Sequence, residues 1–136
     1  MPDTLFLLLI SIVLLVILLY LPYIIWFCIG GINLKTFILG RQQFPKPPKK
    51  VIIAKQILQN YKESFIVFSP ISVLSIIMGI PIQIPSIIWI FLRIIYIPLY
   101  LFEFNILRTI TWHLSLLCIV WMIFLIIFLN RLTMFY

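Results

Sequence analysis

Charge is scarce in this chain. Of 136 residues only 10% are charged, three are acidic, one is histidine and two are cysteine. Soluble domains average about a quarter charged and roughly half apolar, whereas here 65% is hydrophobic and the mean hydropathy is +1.27. So little polar surface cannot cover a globule in water, and the solvent for most of the chain must be lipid. His113 stands alone, with no Cys/His cluster around it, so no metal site is expected. Cys28 and Cys118 both lie in apolar runs and read as small hydrophobes, which leaves the redox compartment open. The amino terminus lacks a positive start and a small-residue cleavage site, and its apolar run is too long for a secretory signal, so it reads as a retained first span.

Long apolar runs fill the rest. A crossing helix needs about 20 residues, and the sequence predicts four spans, at approximately 5–29, 51–78, 84–104 and 110–129. They nearly exhaust the single domain 1–136, so binding or catalysis must occur within or at the edge of the bundle. "GGINLKTFILGRQQFPKPPKK" joins the first two spans and carries Lys35, Arg41, Lys46, Lys49 and Lys50. "GIPIQIPS" joins the second and third without charge, and "NILRT" is expected as the turn before the fourth. Lys and Arg concentrate on cytoplasmic loops, so both termini are expected outside the cytoplasm, with only Arg131 against. Short connections then give an antiparallel four-helix bundle. The PxxP match in "PKPP" reads as a stiff linker, and the loop lysines as a topology signal that also contacts anionic headgroups. A formal charge of +7 is accounted for by membrane placement, so nucleic acid is not an expected partner.

Ionisable groups in a bilayer are costly and usually face a partner or a wet cavity. On the second helix Gln56, Asn60 and Glu63 share one stripe, with Lys55, Gln59 and Lys62 beside it. On the third, Trp89, Arg93, Tyr96 and Tyr100 recur at helical spacing, and Glu103 is expected to continue that face. The two stripes are expected to face each other near one membrane surface. Glu63 is expected to pair with Arg93, although counting turns sets it nearer the level of Tyr100. Single polar residues often only join helices; two facing stripes favour a cavity. Arg108 reads equally as a site residue or a headgroup anchor. Trp112 and His113 read as interfacial rings.

"AKQILQNYKESFIVF", followed about thirty residues later by "RIIYIPLYLFEFNILRTITW", resembles the MAPEG family, membrane-associated proteins of eicosanoid and glutathione metabolism, and its small bacterial members in particular. The likeness rests on R-x-x-Y-x-P-L-Y and L-R-T-x-x-W, matched by Arg93, Tyr96, Pro98, Tyr100, Leu107, Arg108, Thr109 and Trp112. It covers nearly the whole chain. The resemblance implies an all-α four-helix protomer in a bacterial inner membrane, assembled as a homotrimer. Glutathione would lie between subunits at the cytoplasmic side and act as co-substrate toward lipophilic electrophiles. Asn60 and Glu63 would hold its peptide part, Arg93 would pair with Glu63, Tyr96 and Tyr100 would line the site, and Arg108 would stabilise the thiolate. Family members often carry arginine where this chain has Gln56, which removes a carboxylate anchor. The expected function is therefore a glutathione-dependent transferase or peroxidase. The alternatives are a catalytically silent binding or scaffold protein and, last, a small drug exporter, which would typically carry a glutamate in its first span, where this chain has no charge between Asp3 and Lys35.

Overall fold

The structure is a computed structural model and describes residues 2–30, 38 and 46–133. Most of the basic connection between the first two spans, including Lys35 and Arg41, lies outside the described residues. Among the described residues four long helices follow in order: α1 (Pro2–Cys28), α2 (Lys49–Met78), α3 (Gln83–Leu101) and α4 (Asn105–Thr133). All four are long and apolar enough to cross a membrane. Pro22, Pro70 and Pro98 lie inside helices that continue through them, which a membrane bundle tolerates because neighbouring helices and hydroxyl side chains re-satisfy the freed backbone groups.

The helices pair as α1 with α2 and α3 with α4, with fewer contacts across the pairs, while α1 and α4 lie apart. Their directions follow from the side-chain partners. Tyr61 on α2 donates to the Ser11 carbonyl on α1 at 2.7 Å, and Lys55 lies over the Trp26 ring, so α2 runs back along α1. Between α2 and α3, Phe68 stacks on Trp89 at 4.0 Å, Asn60 meets Tyr96 and Tyr100 meets Gln56. The order is reversed here too, and the pair is antiparallel.

The core is built where these stripes meet. Phe68 and Trp89 have no exposed surface, and Ile57, Tyr61, Ile82, Met122 and Leu18 close around them. Buried serines line the helix contacts: Ser64, Ser72 and Ser86 each bond a carbonyl three or four residues back in their own chain. That satisfies the hydroxyl locally and lets backbones approach closely. Outward-facing positions are apolar as well; Phe6, Ile66, Ile77, Phe91 and Leu117 are exposed, as a lipid-facing surface requires.

The two ends of the α2–α3–α4 hairpins are made by the same backbone device. After α2, Gly79 takes φ +70 and Ile80 N–H reaches the Ser75 carbonyl at 3.1 Å. After α3, Glu103 takes φ +60, Phe104 N–H reaches the Leu99 carbonyl at 3.0 Å, and Glu103 N–H reaches that of Tyr100. Both are left-handed helix stops with the hydrogen-bond pattern of a Schellman motif. The second corrects the expected helix ends. Helix α3 stops at Leu101, and α4 begins at Asn105, so "NILRT" is the first turn of a helix, not a loop. Glu103 accordingly leaves the α3 face and forms an ion pair with Lys49 at 2.6 Å across the end of the bundle.

Candidate functional site

At the end of the bundle where α2 begins, α3 stops and α4 starts, an open cleft of about 310 Å³ is lined by Asn60, Tyr96, Tyr100, Arg108, Thr109, Trp112 and His113. Ligand pockets run from about 300 to 1,000 Å³, so this cleft is of binding size at the small end. Three helices contribute. Half-buried Asn60 comes from α2, and its Nδ2 donates to Tyr96 Oη at 2.9 Å. From α3 come Tyr96 and Tyr100, their rings 5.4 Å apart. Tyr100 Oη donates to Gln56 Oε1 at 3.0 Å, which places exposed Gln56 at the rim.

Helix α4 supplies the cation. The Arg108 guanidinium lies 4.3 Å from the Tyr100 ring centre, a cation–π contact well within the useful range of about 6 Å. Among the described residues nothing accepts a hydrogen bond from the guanidinium. One turn further on are Trp112 and His113, edge to face at 4.9 Å. His113 Nδ1 lies 2.8 Å from the Thr109 carbonyl.

Arg93 is buried behind this wall. It is 2% exposed, with the Trp89 and Tyr96 ring centres 5.7 Å and 5.9 Å from its guanidinium carbon. None of its three nitrogens has a hydrogen-bond acceptor among the described residues. The expected pairing with Glu63 does not form. Residue numbers facing each other across α2 and α3 sum to 156 at both hydrogen-bonded pairs, 60 with 96 and 56 with 100. Position 63 is therefore level with position 93, not with Tyr100. The obstacle is rotation about the helix axis: Glu63 is exposed and accepts from Gln59 Nε2 at 3.0 Å, while Arg93 is turned into the core.

Of the residues singled out in the sequence, Asn60, Tyr96, Tyr100 and Arg108 thus meet in one cleft, with Gln56 on its edge. Glu63 lies on an outer face, and Arg93 beneath the floor. Thr109, Trp112 and His113 line the cleft although sequence reasoning gave the two rings only an interfacial role. The spacing of Arg108 to Trp112 and Thr109 to His113, four residues each, held the signal.

With this geometry in hand, comparison with known proteins decides the family. The sequence matches the MAPEG family over residues 6–128, most of the chain. The chain belongs to the MAPEG family. Comparison with curated proteins and with solved structures finds no significant match. The MAPEG family includes glutathione transferases and peroxidases as well as other members, and the four-helix bundle described above is a MAPEG bundle. In this MAPEG protein the cleft brings polar side chains of three helices together on an open cavity.

Proposed function

We propose that the protein is a membrane-embedded glutathione-dependent transferase or peroxidase acting on lipophilic electrophiles, that it works as a homotrimer, and that the cleft at Asn60, Tyr96, Tyr100 and Arg108 is its glutathione site. The observation that carries the reading is the Arg108 guanidinium, held over the Tyr100 ring with no hydrogen-bond acceptor among the described residues. A thiol with pKa near 8.5 is mostly protonated at neutral pH, and a fixed cation beside it favours the nucleophilic thiolate. Arg108 supplies that cation.

The other groups suit the remainder of a tripeptide with two carboxylates and an ammonium group. Asn60 and the tyrosine hydroxyls offer donors and acceptors to peptide groups. Exposed Glu63, one turn along α2 from Asn60, is available to an ammonium group at a subunit boundary. Arg93 adds positive potential from behind Tyr96. Apolar co-substrates reach the cleft from the bilayer through the lipid-facing side. The lysines and arginine of the connection between α1 and α2 favour a cytoplasmic site by the positive-inside rule, with both termini on the opposite side.

One observation favours the second reading, a catalytically silent MAPEG-fold binding or scaffold protein. Gln56 stands where family members often carry arginine, and it accepts from Tyr100, so both residues satisfy each other in place of a ligand carboxylate. Calorimetric titration of the detergent-purified trimer with glutathione separates the two, together with conjugation of a generic aryl halide. Saturable binding with turnover is expected; no binding at millimolar glutathione would leave the scaffold reading standing.

A further inference from the structure

His113 is the only histidine in the chain, and it faces the cleft that holds Arg108. Its ring has a defined role for each nitrogen. Nδ1 lies 2.8 Å from the Thr109 carbonyl oxygen, which can only accept, so in the neutral ring the proton sits on Nδ1. Nε2 then carries the lone pair. Among the described residues Nε2 has no hydrogen-bond partner, and the edge-to-face contact with Trp112 holds the ring in place. A carbonyl that fixes the tautomer, with the free nitrogen open to a ligand cavity, is the arrangement that general-base histidines need. The other ionisable groups around the cavity are Tyr96, Tyr100 and Arg108; the arginine cannot take a proton, and neither phenol is a base at neutral pH.

We propose that His113 is the proton relay of this cleft and that its co-substrates are lipophilic α,β-unsaturated carbonyl compounds, joined to the thiol by conjugate addition. The inference rests on the glutathione reading above. The S–H bond breaks and its proton passes to Nε2, giving an imidazolium, while Arg108 holds the thiolate. A sulfur electron pair forms the C–S bond at the β-carbon, and the carbon–carbon π pair moves onto the carbonyl as an enolate. The imidazolium N–H then breaks, its proton goes to the α-carbon, and the neutral ring returns. Nothing is oxidised or reduced, and no proton is drawn from bulk water. An aryl halide differs: its halide leaves with the bonding pair, so the second proton transfer has no counterpart.

This difference gives the test. Detergent-purified parent, His113→Gln and His113→Ala are assayed with glutathione against a long-chain enone and an aryl halide. The expected result for His113→Gln is a loss on both substrates, since both need the thiol proton removed, with the enone falling further, by about 10²-fold, since it alone needs the proton returned to carbon; the enone rate should recover in His113→Ala on adding imidazole. Equal proportional losses on both substrates, or no loss on either, would overturn the relay while leaving the glutathione site in place. A parent that binds no glutathione would overturn the glutathione reading and the relay with it.

Discussion

Arg93→Met is predicted to make the protein more stable and a weaker glutathione binder. Arg93 is the eleventh of the 19 residues of α3, counting from Gln83, so it sits at the middle of a membrane-crossing helix. An arginine at that depth costs about 2.5–3.5 kcal/mol. Against this stand two ring contacts at 5.7 Å and 5.9 Å, near the outer reach of a cation–π interaction and worth about 0.5 kcal/mol each. No hydrogen bond among the described residues offsets the rest. Methionine follows the path of the arginine stem and adapts to the space between Trp89 and Tyr96, so the balance favours the variant by about 2 kcal/mol on these figures. The assay is reversible unfolding in mixed micelles, titrating in a denaturing detergent and following tryptophan fluorescence and helicity. Glu63→Gln is the partner experiment and is expected to leave stability unchanged, since Glu63 is exposed and, among the described residues, bonded only within its own helix. Breaking a buried ion pair costs about 3–5 kcal/mol. If Arg93→Met lost stability on that scale, and Glu63→Gln lost it too without additivity, the two would be paired and the placement of both side chains would be refuted.

Three further expectations follow from other contacts. Tyr61→Phe removes the hydroxyl bond to the Ser11 carbonyl and should cost about 0.6–1.7 kcal/mol in the same unfolding assay, with glutathione affinity unchanged. Gln56→Arg gives the cleft rim a bidentate carboxylate partner, and a charge-assisted bond of about 1.5–3 kcal/mol should tighten glutathione by roughly tenfold or more, read by calorimetry. Glu103→Gly exchanges an exposed ion pair, worth at most about 1 kcal/mol, for relief of a left-handed backbone that costs about 1–2 kcal/mol. It should therefore be about 1 kcal/mol more stable than Glu103→Ala, which loses the pair and keeps the strain.

Apolar runs made the four helices legible, because a residue's preference for lipid is a property of its own side chain. The end of α2 was legible for a similar reason: Gly79 is the residue type a left-handed stop favours. The end of α3 was not. The same stop is built on Glu103 with Phe102 and Phe104 beside it, and nothing in those residue types announces a positive φ, so the expected turn starts three residues too late and ends five too late, which sets Arg108 in a loop. In the cleft, spacings of three and four were enough to align Asn60 with one stripe and Tyr96 and Tyr100 with another. The stripes did not reveal how far each helix is rotated about its axis, and that rotation separates Glu63 from Arg93 despite their shared level. Trp112 and His113 were discounted because rings are common at membrane interfaces, a composition argument that carries no direction; only their register with Arg108 and Thr109 aims them into the cavity.

The central claim is that one cleft holds glutathione with its sulfur beside Arg108. Its most direct test is the ultraviolet thiolate absorbance of glutathione titrated into the detergent-purified protein at neutral pH, for the parent and for Arg108→Ala. A saturable thiolate signal is expected in the parent and its loss in the variant, with the assembly intact by size-exclusion chromatography. A parent that shows no thiolate at saturating glutathione, or an Arg108→Ala protein that shows the same signal as the parent, would contradict the claim.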